Sequence, residues 1–597
     1  MDKILVMDFG GQYAHLIANR IRRLNVYSEI VHNDISIDEL QKPEIKGIIL
    51  SGGPTSVFDD NAPKPDKKLF QLDKPILGLC YGQQLMAHEL NGKVESGKKR
   101  EYGSARIDIK NKNDLFQGLN DSETVWMSHG DNVEEIPKGF EILASTADCP
   151  VAGMGNGKYF GLQFHPEVTH TPNGMKILEN FVNICKAKKE WTMKNFANEK
   201  IEEIKKQANE KNVFLLVSGG VDSTVGFVLL NKALGAERVH GLHIDNGFMR
   251  KDESILVKES LAHYPNLHIY DASDEFLDSV KDVYDPEEKR KIIGKKFVEV
   301  AHEQLKNLKL DPNKWILGQG TIYPDTIESA GTKHAALIKT HHNRVEEIQK
   351  LIEEGKVIEP INQLYKDEVR ALGRELGIKD ELIDRHPFPG PGLAVRCLCA
   401  EKEDEVENKE ELEKGISKII KENLSFVILP LKSVGVQGDN RTYAHPCVIV
   451  GDAKWDELEE ISTNITNKFK DINRVIKLIR LKGGIKRDNI KIKKAYLTED
   501  RLDLLREADS IVNKIINEKN LLNKIWQFPV VLIPLQLSDG ESIVLRPVYS
   551  QEAMTAKFAD IDIKIVEEMA DKILELDGID AVFYDITHKP PGTIEWE

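Results

Sequence analysis

Gly78-Leu79-Cys80-Tyr81-Gly82 stands between a short apolar run and the helix-like YGQQLMAHEL. Strand, sharp turn and helix in that order make the setting of a nucleophile elbow, and small residues on both flanks let the turn close. Cys80 then sits at a helix N-terminus, where the positive end of the macrodipole favours the attacking thiolate. Taken alone, it reads equally as a buried cysteine at a strand end. Gln163-Phe164-His165-Pro166-Glu167 follows another apolar run. A His and a Glu two apart share one side of an extended segment, so Glu167 can fix the tautomer and tilt of His165, the candidate base. Ser51-Gly52-Gly53-Pro54 closes a third strand, and its unhindered amides, Gly53 together with that of Tyr81, are the candidate oxyanion hole.

A second constellation follows the apolar run Val213 to Val217: Ser218-Gly219-Gly220-Val221-Asp222-Ser223-Thr224. Backbone amides, hydroxyls and a helix dipole there converge on one anion, as a phosphate cradle requires. It is not a Walker A loop, because no Lys follows a G-x-x-x-x-G frame; the near miss, Gly92 to Lys98, continues with Lys99 where Ser or Thr should be. Asp222 is the candidate magnesium carboxylate, since a phosphate site needs cations. Asp245, closing the next strand, is a further candidate for nucleotide contact. Downstream, Asp325 and Glu328, then Lys339, His341 and His342, place acidic and basic groups in a loop region. The adjacent histidines do not read as zinc ligands, because neither an H-E-x-x-H frame nor a cysteine pair accompanies them. Cys397 and Cys399, two apart on one face of an expected strand, read as core.

These residues need elements to hold them. To about Lys186 short apolar strands (Lys3 to Met7, Gly47 to Leu50, Pro75 to Leu79, Val125 to Met127, Lys158 to Phe164) alternate with amphipathic helices, predicting an α/β sheet. Lys186 to Asn212 is a charged, helix-like segment with little apolar surface to bury and reads as a connector beginning the second domain. Strand Val213 to Val217, helix Asp222 to Leu234 and strands Val239 to Ile244 and Leu267 to Tyr270 predict a second parallel sheet. The last third repeats itself. VILPLKSVGVQGDNRTY and INRVIKLI are echoed by VVLIPLQLSDGESIVLRP and IDAVFYDI, each unit reading strand, strand, helix, strand. Chance likeness of two β-rich stretches is the alternative to duplication.

With 597 residues, of which 41% are hydrophobic and 30% charged, the chain is too long for one core. A net charge of −15 makes nucleic acid a poor partner. The six cysteines form neither a disulfide framework nor a paired metal spacing, which suits a reducing, cytoplasmic compartment. No leader pattern opens the sequence, and the strongest apolar run, Phe528 to Leu535, is far below the ~20 residues of a membrane helix, so no membrane is expected.

Residues 1–188 resemble the class I glutamine amidotransferases. The resemblance implies Cys80 as nucleophile on the glutamine side-chain amide, His165 as general base and acid and Glu167 as its orienting partner. It also places Gln84 and Ser128-His129-Gly130-Asp131 around the substrate. SGGVDS is similar to the pyrophosphate loop of the ATP pyrophosphatases, which implies ATP and Mg2+, residues 189–395 as that domain, and a lid of Asp325, Glu328, Lys339, His341 and His342 closing over ATP. The two in this order, with FPGPGLAVR, LKSVGVQGDNRTY and KPPGTIEWE, resemble the glutamine-hydrolysing GMP synthase family. That likeness implies residues 396–597 as a C-terminal domain and xanthosine monophosphate as acceptor, held by Asp439, Gln527, Lys589 and Glu595 with Arg441 and Arg546 as additional cations.

The expected fold class is therefore two doubly wound α/β domains followed by a duplicated α+β domain. Short family members dimerise through one copy of that C-terminal unit; two copies in one chain imply a monomer or weak homodimer. Another glutamine-dependent ligase, such as an NAD synthetase or a tRNA-modifying enzyme, and a catalytically silent nucleotide-binding scaffold are the competing readings.

Overall fold

The computed structural model describes residues 1–308, 314–330, 357–437, 440–482, 490–550 and 555–597. They divide into two compact units, 1–200 and 201–597.

The first unit is built on one nine-stranded sheet: β1 (Lys3–Asp8), β2 (Tyr27–His32), β3 (Ile45–Leu50), β4 (Ile76–Leu79), β5 (Lys93–Ile109), β6 (Ser122–Glu135), β7 (Glu141–Ser145), β8 (Gly153–Gly155) and β9 (Tyr159–Leu162). Its order is β2-β1-β3-β4-β9-β8-β7-β5-β6. The β2-β1-β3-β4-β9 part is parallel and the remainder antiparallel. Continuous apolar runs such as Ile76–Leu79, buried throughout, are what a sheet covered on both faces demands. Helices α1 (Ala14–Arg23), α2 (Tyr81–Glu89) and α3 (Gly174–Ile184) belong to this unit. The expected strand at Val125 to Met127 is the middle of the much longer β6, while that at Lys158 to Phe164 shrinks to β9. The connector also differs from expectation. Trp191 is buried, its ring 4.7 Å from that of Tyr27 and its amide bonded to Asn25 O, and α4 (Met193–Ala208) buries Phe196 and Ile204.

In the second unit β10 (Asn212–Leu216), α5 (Val221–Leu234), β11 (Val239–Asp245), β12 (Leu267–Asp271), β13 (Trp315–Gly318) and β14 (Val357–Ile358) form an all-parallel sheet ordered β12-β11-β10-β13-β14. Strand order reverses at β10, so the loop after it opens at a topological switch point.

The C-terminal sheet comprises β15 (Ser425–Ile428), β16 (Ser433–Gln437), β17 (Asn440–Val450) and β18 (Ile472–Leu481), then β20 (Val530–Ile533), β22 (Glu541–Leu545) and β25 (Ile579–Asp585). Short ladders pair β19 (Lys491–Ile492) with β21 (Leu535–Gln536) and β23 (Val548–Tyr549) with β24 (Lys557–Phe558). The sheet order β15-β17-β18-β25-β22-β20 is palindromic. In each half the first two strands are antiparallel, the second and last parallel, and the halves meet antiparallel at β18 and β25. The helix inside each repeat, Trp455–Lys468 and Ile563–Ile573, occupies the same place in the order. Two matched halves related by a pseudo-two-fold are what a tandem duplication produces, and chance likeness of β-rich text would not reproduce the pairing. Cys397 and Cys399 depart from expectation: the segment is irregular, with single bridges Cys397↔Leu532 and Ala400↔Ala495 in place of a strand.

Candidate functional site

Three parallel neighbours, β3, β4 and β9, end side by side, with Leu50 opposite Gly78 and Leu79 opposite Leu162. Their C-terminal ends deliver Ser51 to Gly53, Cys80 and Gln163 to His165 to one place. The turn at Cys80 is sharp, with φ 51° and ψ −106°, a conformation that costs a non-glycine residue about 1–3 kcal/mol and exposes its side chain at the strand end. A Cβ on Gly78 would lie 2.4 Å from Gly82 O, and one on Gly82 would lie 2.4 Å from Leu50 O, so both flanks must be glycine. Cys80 Sγ lies 3.5 Å from Ser128 O and 3.6 Å from Gln163 Nε2.

His165 Nδ1 is 2.7 Å from Glu167 Oε1, and both side chains are buried. Burial alone would push the imidazole down; the Glu167 carboxylate and the hydrogen bond with Cys80 outweigh it and hold the ring up at about 10. That places a charged ring beside the Cys80 sulfur. His165 and Glu167 lie in a turn rather than the extended segment expected, and Thr171 Oγ1 secures it by donating to His165 O at 2.7 Å. Gly53 lies against Tyr81, since a Cβ there would be 3.3 Å from Tyr81 Cγ, and neither amide donates in the described hydrogen bonds. Gln84 is buried and donates to Asp131 O at 2.8 Å and Gln163 Oε1 at 3.2 Å. Asp131 accepts from Ser56 Oγ at 2.6 Å. Gly130 lies between His129 and Asp131 on β6. His129 differs from its expected role: its ring is spent on Glu101 Oε2 and Asp131 O, each at 3.1 Å, and burial pushes its pKa down. Gln163, Glu101 and Ser56 went unrecognised in the sequence, although Gln163 stood inside a quoted motif.

In the second unit, Gly219 has φ +83° and Gly220 caps α5. Ser223 Oγ ties the loop by donating to Gly220 O at 3.1 Å, accepting from Ser218 N at 3.1 Å and meeting Ser218 Oγ at 3.0 Å. The amides of Val221, Asp222 and Ser223 have no acceptor among the described hydrogen bonds, and Thr224 Oγ1 is buried without a partner. This is an anion cradle at a helix N-terminus. Lys366 Nζ, from α6 (Lys366–Glu375), contacts Asp222 Oδ2 at 2.5 Å while Oδ1 is unpartnered. That oxygen suits Mg2+, which takes one or two carboxylates and completes its shell from phosphates and water. Asp245 ends β11 and accepts from Gly247 N. Asp325 accepts from Ile322 N at 3.2 Å. The side chain of Glu328, and Lys339, His341, His342 and Asp439 entirely, lie outside the described residues.

Of the expected acceptor residues, Gln527 and Glu595 come together, Gln527 Nε2 donating to Glu595 Oε1 at 3.1 Å. Arg396, from FPGPGLAVR, grips the same carboxylate through Nε at 3.0 Å and Nη2 at 2.8 Å. Lys589 pairs its backbone with Ala556, and Arg441 meets Glu287 at 2.7 Å. Arg546 corrects the expectation. It is fully buried and bound to Asp585, which also takes Arg474 at 2.8 Å, Trp596 Nε1 at 3.0 Å and Thr587 N at 3.0 Å. Its guanidinium braces the core. Nor is the KPPGTIEWE segment a solvated tail, for Trp596 is fully buried.

Three family descriptions match the chain: "Glutamine amidotransferase class-I" over residues 5–185, "NAD synthase" over 193–291 and "GMP synthase C terminal domain" over 514–596. Full-length relatives carry the name GMP synthase (glutamine-hydrolyzing). That of Aquifex aeolicus is 45% identical over 100% of this chain and 99% of its own, and that of Clostridium perfringens 44% over 100% of both. That of Dictyostelium discoideum is 39% identical over 99% of this chain and 94% of its own. No helix among the described residues is long and apolar enough to cross a membrane.

Proposed function

The chain belongs to the glutamine-hydrolysing GMP synthase family, and from that membership we propose that it makes GMP from xanthosine monophosphate, ATP and glutamine, releasing AMP, pyrophosphate and glutamate. Cys80 attacks the glutamine amide carbon; His165 delivers its proton to the departing ammonia and then takes one from the water that opens the thioester. Glu167 holds the imidazolium that makes both transfers possible, and the amides of Gly53 and Tyr81 receive the charge that develops on the carbonyl oxygen. Gln84 and Asp131 orient the substrate.

In the second unit the 218–224 loop holds the ATP phosphates on the amides of Val221, Asp222 and Ser223 and on the Thr224 hydroxyl. Asp222 would hold Mg2+ there, which when bound offsets the charge of the leaving pyrophosphate. Asp245 contacts the nucleotide, and Asp325, Glu328, Lys339, His341 and His342 close over it. The acceptor is adenylated at its C2 oxygen and ammonia displaces AMP; Asp439, Arg441, Gln527, Lys589 and Glu595 hold the acceptor, with Arg396 fixing the Glu595 carboxylate. We assign residues 1–188 to the amidotransferase domain, 189–395 to the ATP pyrophosphatase domain and 396–597 to the duplicated domain. The paired repeats support a monomer or weak homodimer, since each repeat already meets its double, and the free thiols support a cytosolic setting.

The observation that carries this reading is one chain holding both a Cys80, His165, Glu167 constellation and a phosphate cradle. Incubation with ATP, magnesium, glutamine and xanthosine monophosphate should yield GMP, AMP and pyrophosphate. Cys80→Ala should abolish glutamine-driven synthesis and keep synthesis from high ammonium. Product formation without AMP, or loss of both nitrogen sources in a folded Cys80→Ala protein, would overturn it.

A further inference from the structure

Behind the nucleophile, three side chains from separate stretches of the first unit converge. A Glu101 oxygen, a His129 ring nitrogen and Cys149 Sγ all lie within 4.8 Å of one another. Glu101 comes from β5, His129 from β6 and Cys149 from the turn that precedes β8. Thiol and imidazole are out of solvent, and only the carboxylate is partly accessible.

Each donor is also held on its far side. His129 Nδ1 is 3.1 Å from Asp131 O, which takes its proton and leaves Nε2 facing Glu101. Glu101 Oε1 accepts from Thr146 Oγ1 at 3.1 Å. Cys149 is locked in a tight turn by its amide donating to Thr146 Oγ1 at 2.8 Å and its carbonyl accepting from Thr146 N at 2.8 Å. A ligating imidazole whose other nitrogen donates to a carbonyl, and a ligating carboxylate that is itself hydrogen-bonded, are the outer-shell arrangements that orient metal ligands.

We propose that Glu101, His129 and Cys149 form a binding site for a divalent transition metal of the zinc type. Sulfur, imidazole nitrogen and one carboxylate form a borderline-soft set that suits Zn2+ or Co2+ and not Mg2+ or Ca2+. Three protein ligands leave a fourth position for solvent on the Glu101 side. Binding releases the thiol proton, because the sulfur ligates as thiolate. The site touches the glutaminase through its own strand: Ser128, beside His129, presents its carbonyl to Cys80, and Asp131 O, the acceptor for His129, also holds Gln84. No sequence spacing announces it, because the ligands are 28 and 20 residues apart, on two strands and a turn that only the fold brings together.

The test is Co2+ titration of the full chain carrying Cys80→Ser, which removes the nearby catalytic thiol as a rival ligand. One equivalent should produce a thiolate-to-cobalt charge-transfer band in the near ultraviolet with tetrahedral visible bands, and added Zn2+ should bleach both. Adding Cys149→Ser should abolish the charge-transfer band, and His129→Asn or Glu101→Gln should weaken binding at least about tenfold. Because a core substitution can unfold the domain, X-ray absorption of the Zn2+-loaded Cys80→Ser protein is the second measurement. It should show one sulfur at about 2.3 Å with nitrogen and oxygen completing the shell. Absence of the band at one equivalent, its survival in Cys149→Ser, or a zinc shell without sulfur would each overturn the proposal.

Discussion

Glu167→Gln removes one negative charge from a fully buried side chain while keeping its length and an oxygen to accept the His165 Nδ1 proton, now at 2.7 Å. Geometry is spared and electrostatics is not. The ring is held at about 10 against an ordinary 6.5, a gap of roughly 3.5 units (10 − 6.5), on the order of 5 kcal/mol. Burial is the largest influence and opposes that gap, Glu167 is the first of the groups that sustain it, and Cys80 is the other. Without the carboxylate the imidazolium beside the sulfur is no longer favoured, and glutamate release from glutamine should fall about 10²–10³-fold in kcat/KM. Synthesis from ammonium should be unchanged. The same charge has a stability signature. A folded-state value above the unfolded one adds stability that is complete below pH 6.5 and lost as the pH climbs through about 10. The melting temperature of the wild type should therefore exceed that of Glu167→Gln most near pH 6, and the difference should shrink toward pH 10. A glutaminase within about fivefold of wild type, or a stability gap that widens with pH, would refute the assignment of the charge to Glu167.

Gly82→Ala places a Cβ in the first turn of α2 at 2.4 Å from Leu50 O, the end of β3; the first unit should lose about 1–3 kcal/mol in denaturant titration, and a smaller loss would mean the elbow is not close-packed. Lys366→Met removes the ammonium 2.5 Å from Asp222 beside the phosphate cradle, so synthesis should drop about 10²-fold with glutamine and ammonium alike while glutaminase measured alone persists. A defect confined to glutamine would place Lys366 elsewhere in the reaction. Asp585→Asn leaves Arg474 and Arg546 buried without their counter-charge, which should destabilise the second unit by about 3–5 kcal/mol in equilibrium unfolding. A loss under about 1 kcal/mol would show that the hub relies on its neutral partners.

What could be read from the residues alone were the features written within a few positions of one another. The elbow at 78–82, the 218–224 loop and the two copies of the C-terminal repeat each carry their geometry locally: glycines where a Cβ has no room, a hydroxyl that closes its own turn, a strand and helix in fixed succession. Pairing across long separations was not legible. Arg546 is a cation in a segment expected to hold a nucleotide, and nothing in its type or neighbours reveals that Asp585, 39 residues on, already pairs with it. Glu595 is expected to meet a ligand, and its carboxylate lies in the grip of Arg396, 199 residues away. The family resemblance places His129 around the substrate with the rest of 128–131, yet strand alternation turns neighbouring side chains to opposite faces, and on its own face the ring finds Glu101 of β5. A charged residue's type states what it needs, whereas sheet order decides which partner supplies it. For that reason the sites most exposed to misreading were the basic ones, whose requirement for an anion is met equally by a substrate and by a carboxylate of the same chain.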